Sequence, residues 1–304
     1  TSSGLLWLLQ GPMLAAAFAM ALADFMKTRL GFRSWKLALA CAAFVAADLL
    51  ALGWRLYSEP QVMALDWIIG YVHGPIYDEW VPFETMVLRA RAALLAFTAA
   101  LICLTRYERL QKSFGWTMLF VVGVAAWPGI YLPSKSDLQS FLGMTLKGNG
   151  LVLHFHEGKR NRLEAERIRS EAEAHIAHLS VLTLQRPLPP EDVTIWLYPD
   201  AESKRRLIGA GNVLIARPWQ NEIHLHPGSR PDRHLRHELV HALLAHRSNN
   251  PFGVPLTPLP NPALVEGMAV FLAPGTQRLS LHQTAAGLLR RGRLPQINEL
   301  LSLK

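Results

Sequence analysis

Long apolar runs fill the first part of the chain, and shorter periodic ones fill the rest. Residues 4–26, 36–56, 85–104 and 115–132 are each close to the ~20 apolar residues that cross a hydrocarbon core. The third run carries Arg89 and Arg91 in its first turns, where long side chains can snorkel to the interface. Trp35, Trp54, Trp80, Trp116 and Trp127 fall near the ends of these runs, as in an interfacial aromatic belt. The pattern predicts an α-helical transmembrane domain of about four helices over residues 1–132.

Loop charge orients these helices. The first loop holds Lys27, Arg29, Arg33 and Lys36, and the third holds Arg106, Arg109 and Lys112 against Glu108. Residues 58–84 hold Glu59, Asp66, Asp78, Glu79 and Glu84, with no Lys or Arg. Positive loops stay in the cytoplasm, so the middle loop and both ends are expected outside. The aromatic stretch 64–80 is expected along the interface. The first run has no positive stretch before it, which favours an uncleaved helix over a signal peptide.

After residue 132 the pattern changes. Residues 133–150 read as a linker with a short helix. "LVLHFHE" from Leu151 alternates like a strand, and residues 159–182 form a charged amphipathic helix with Glu164, Arg167 and Glu171 at neighbour spacing. "VTIWLYP" reads as a strand, and Asp200 opens a short helix. "NVLIARPW" and "NEIHLHP" read as two more strands. Pro231 and Asp232 start a helix that runs to about residue 246. A Pro-rich loop over 251–262 then leads to helices at 263–273, 279–289 and 296–301. The whole predicts an α+β domain over 151–304.

Bulk composition agrees with this division. Of 304 residues, 50% are hydrophobic, and the mean hydropathy is +0.16. The formal net charge is +8, but no basic run interleaved with aromatics is present, so no nucleic-acid partner is expected. Cys41 and Cys103 both lie in apolar runs and offer neither a disulfide framework nor a CxxC site.

The chemistry concentrates in "RHELVHALLAH", residues 236–246. On a helix His237 and His241 project from one face, while Leu235, Leu239 and Leu243 form another. Two neutral imidazoles at this spacing suit one tetrahedral zinc, and Glu238 beside them can take a proton from a polarised water. A third ligand is needed. A His six residues after His241 would be the metzincin choice, but Arg247 stands there and Leu244 replaces the required Gly. Glu266, an acid in an otherwise apolar helix, is the remaining candidate, because an unpaired carboxylate there would be costly. A salt bridge to Arg is the alternative for it. His154, His156, His224 and His226 alternate on strands and read as surface or interface side chains. His175 and His178 read as solvated.

"HELVHALL" followed by "LVEGMAVFLA" resembles the gluzincin metallopeptidases, the thermolysin-like peptidase MA superfamily, over roughly residues 151–301. The resemblance implies a zincin-like fold, one zinc per chain held by His237, His241 and Glu266, and Glu238 as general base. It implies hydrolysis of peptide bonds in a peptide or protein near the membrane, with the substrate paired to a strand before the active helix, between residues 211 and 226. With the lipid bilayer as the other partner, the domain is expected on the extracytoplasmic side, as at a bacterial inner membrane facing the periplasm. Two positions depart from the family. Val270 replaces the Asp four residues after the ligand Glu, and no Tyr follows Tyr198, which leaves His282 as the candidate to stabilise an oxyanion. The departures keep open a zinc- or peptide-binding membrane sensor or scaffold without turnover. The oligomeric state is not legible.

Overall fold

The computed structural model describes residues 9–66, 68, 70–73, 85–106, 133–184, 193–227, 231–245, 248, 253–254, 262–273 and 279–296. These are mostly helical, with one five-stranded sheet and one two-stranded hairpin. They divide into two compact units, Thr1–Asp137 with Leu207–Ala210, and Leu138–Arg206 with Gly211–Lys304.

In the first unit a π-helical turn, Leu9–Met13, leads into α1 (Leu14–Thr28), followed by α2 (Ser34–Ser58). A hairpin follows, with β1 (Met63–Asp66) antiparallel to β2 (Gly70–His73), and then α3 (Thr85–Arg106). Phe18 and Ala21 of α1 pack with Leu94 and Leu101 of α3, and Phe18 stacks on Phe97 at 5.5 Å. Arg29 donates to the Leu104 and Thr105 carbonyls at 2.9 and 3.1 Å, serving acceptors that the end of α3 leaves open.

Among the described residues α2 alone is long and apolar enough to cross a membrane. The 115–132 run lies outside the described residues. α1 is 15 residues long, and α3 carries Arg89, Arg91 and Arg106. Arg91 does not snorkel. It is buried and donates to the Asp66 and Ile68 carbonyls at 2.6 and 2.8 Å, which compensates the burial of a guanidinium in an apolar helix. Part of the stretch expected along an interface is therefore a hairpin held by this arginine.

The second unit begins near α4 (Lys135–Leu142), where Leu138 and Leu142 are buried. The stretch expected as a linker also holds β3 (Met144–Gly148), antiparallel to β4 (Leu151–Phe155). The cause is the Asn149-Gly150 turn, with Gly150 at φ +75°, a conformation that favours glycine and closes a two-residue hairpin. Then come α5 (Lys159–Leu184), β5 (Val193–Leu197) and α6 (Ala201–Ile208), opened by the Ser203 N–H donating to the Asp200 carboxylate at 2.6 Å. β6 (Ile215–Arg217) and β7 (Glu222–Leu225) follow, then α7 (Pro231–Ala245), α8 (Pro262–Leu272) and α9 (Leu281–Arg290). Strand order is β3-β4-β5-β7-β6, parallel for β4-β5-β7 and antiparallel at both edges.

One sheet face carries Leu151, Leu153, Phe155, Val193, Ile195, Leu197, Ile223 and Leu225. Against it pack Ala165, Ile168, Ala172, Ile176 and Leu179 of α5, at the three-and-four spacing of one helix face. Leu235, Leu239, Val240, Ala242 and Leu243 of α7 join the same core. The opposite sheet face corrects the reading of His224 as a surface side chain, while His154 stays half-buried. His154, Trp196 and His224 lie in register on neighbouring strands and stack, with ring centroids 4.6 and 6.3 Å apart. His224 is fully buried, with Nδ1 2.9 Å from the Tyr198 hydroxyl.

Candidate metal centre

α7 fixes the site through its two faces. Its leucines enter the core, and one turn apart His237 and His241 leave it on the other side. Their rings stand edge to face, 4.9 Å between centroids, with the two Nε2 atoms 3.2 Å apart. α8 brings in Glu266, whose Oε2 is 3.2 Å from His237 Nε2 and whose Oε1 is 3.6 Å from His241 Nε2. The three ligating atoms lie within 4.8 Å of one another, and no other such group of three occurs among the described residues. Among the described residues the partners of Glu266 are thus the two histidines and not an arginine.

These distances test the fit of zinc. Ligands bonded at about 2.0–2.1 Å in a tetrahedron stand about 3.3–3.4 Å apart. Two of the separations, 3.2 Å between the imidazole nitrogens and 3.2 Å from His237 Nε2 to Glu266 Oε2, lie close to that edge length, and the second carboxylate oxygen is 3.6 Å from His241 Nε2. Burial pushes the His241 imidazole below its ordinary pKa, ahead of the opposing effect of Glu266, and so favours the neutral form that binds metal.

Glu238 stands apart from the three. The Ala216 N–H on edge strand β6 donates to its carboxylate. Part of the side chain meets solvent, but the carboxyl itself is desolvated. Burial, and next the charge of Glu266, raise its pKa to about 7, while Lys204 and the Ala216 N–H pull it down. A carboxyl so tuned accepts and returns protons near neutral pH.

Two supporting residues were not legible as such. Lys204 is fully buried and donates to the Val213 carbonyl, just ahead of β6. Its signal was position, since Lys204 shares the apolar stripe of α6 with Leu207 and Ile208. Arg236 donates from Nε to the Leu272 carbonyl at 2.9 Å, and from its guanidinium to His178 Nδ1 at 3.3 Å. It therefore ties α7 to the end of α8 and to α5, and His178 has a partner beyond solvent.

The departures keep their places. Val270 is exposed on α8, and His282 is exposed on α9 and outside the three-residue group. Arg247 lies outside the described residues. No family model, no curated protein and no solved structure matches the chain.

Proposed function

We propose that the chain is a membrane-anchored zinc metallopeptidase of the gluzincin kind. The observation that carries the reading is the convergence of His237, His241 and Glu266, with one ligating atom from each within 4.8 Å of the others, and with Glu238 beside them but held off by Ala216. A zinc ion held there supplies a Lewis acid and lowers the pKa of water. His237 and His241 would hold it through Nε2 and Glu266 through its carboxylate, and burial favours the neutral form of His241. Glu238 takes a proton from the attacking water and passes it to the leaving amine. β6 is the last strand of the sheet among the described residues, and an extended peptide adding along that edge would lie beside Glu238, which the Ala216 N–H holds there. One zinc per chain is the stoichiometry this ligand set requires.

The anchor rests on α2 and on the loop charges. In this reading the apolar runs form a multi-pass membrane domain, and the peptidase unit lies on the extracytoplasmic side. Cysteine labelling from either side of the membrane tests that orientation, and modification of the second unit only from the cytoplasm would reverse it.

Glu238→Gln keeps all three ligands and removes the base. Proteolysis of an unfolded protein substrate is expected to fall by about 10²–10⁴ while zinc stays bound. A second reading, a zinc- or peptide-binding sensor or scaffold without turnover, is favoured by Val270 and by the exposed position of His282. A parent chain that binds zinc and peptide but shows no turnover that Glu238→Gln abolishes would select it.

A further inference from the structure

The large exposed apolar side chains of the second unit concentrate between Leu264 and Leu294. Helix α9 and its tail combine them with charge. Leu281, Ala285, Leu288 and Leu289 fall on one face of the helix, and Leu288, Leu289 and Leu294 are exposed. Arg290, Arg291 and Arg293 follow directly, also exposed. Between residues 267 and 298 the sequence holds four arginines, counting Arg278, and no Asp or Glu. The helix is deliberately started, since Ser280 and Gln283 form a reciprocal capping box. A capped amphipathic helix with leucines beside an arginine cluster has the composition of an interfacial helix.

We propose that α9 and its arginine-rich tail dock on an anionic lipid surface. Leu288, Leu289 and Leu294 enter the headgroup–acyl boundary, and Arg290, Arg291 and Arg293 pair with lipid phosphates. Charge selects this occupant. A second copy would bring the same arginines against themselves on a chain of net charge +8. A nucleic acid would reward the arginines and leave the leucines in water. The proposal does not depend on zinc or on turnover.

The test is hydrogen exchange of the whole chain in lipid nanodiscs, phosphatidylcholine alone against phosphatidylcholine with phosphatidylglycerol. The expected result is exchange of the α9 amides slowed at least about tenfold by phosphatidylglycerol. High salt and the triple change Arg290→Glu, Arg291→Glu, Arg293→Glu remove the slowing, while the α7 amides, which report folding, do not change. Equal exchange in the two lipids overturns the proposal. Protection that persists in the triple variant also overturns it, and if such protection grows with protein concentration, a second copy is the occupant.

Discussion

Arg236 Nε donates to the Leu272 carbonyl at 2.9 Å, so the helix that carries both histidines is bonded to the end of the helix that carries Glu266. The two elements meet in sequence only across a long Pro-rich stretch. Their alignment therefore rests on this bond and on Ala269 and Ala273 packing into the α7 core.

Arg236→Ala should loosen that alignment without touching a ligand. Zinc affinity is expected to fall by about tenfold, the low end of what outer-shell changes do, with a stability loss of about 1.5–3 kcal/mol from the charged hydrogen bond. Competition against a chromogenic chelator measures the first, and urea unfolding measures the second. Unchanged zinc affinity would remove Arg236 from the account of the site.

Glu238 makes the metal-free protein sensitive to pH. Its folded pKa of about 7 lies above the 4.5 of an ordinary Glu carboxyl, so the folded chain holds a proton that the unfolded chain releases. The stabilisation is complete below about 4.5 and is lost as pH rises to about 7, by at most about 1.4 kcal/mol per pH unit. Thermal unfolding in chelator from pH 5 to 8 should show the parent losing stability relative to Glu238→Gln over that window. Parallel curves would mean that the carboxyl is not desolvated.

Gly150→Val tests the hairpin that leads into the sheet. Gly150 sits at φ +75°, where a β-branched residue is strained, so a loss of about 1–2 kcal/mol or more is expected. Denaturant unfolding measures it. A neutral result would show that the β3–β4 turn tolerates another geometry.

Much of the second unit was legible because its elements are short, amphipathic and bounded. "LVLHF", "VTIWL" and "EIHL" became strands, and the helix over "RHELVHALLA" ends within a residue of its expected limit. Asn149-Gly150 carried the hairpin signal, but the polar residues around it pointed to a linker. His154 and His224 alternate as half-exposed strand residues do, and only the neighbouring strands, placing Trp196 between them, stack the two and bury His224. Arg91 is a similar case. Its carbonyl partners come from a hairpin more than twenty residues away in sequence, so a charge in an apolar helix read as one that snorkels to an interface. The three candidate ligands followed from spacing and from the cost of a carboxylate in "ALVEGMAVFLA". Lys204 and Arg236 did not, because their roles depend on carbonyls that no local pattern places.

The zinc content of the purified whole chain, by elemental analysis, beside His237→Ala and Glu266→Ala, tests the metal site most directly. About one zinc per chain is expected in the parent and well below that in both variants, with Glu238→Gln keeping it. A folded parent without zinc, or zinc retained in both ligand variants, would contradict the proposed site.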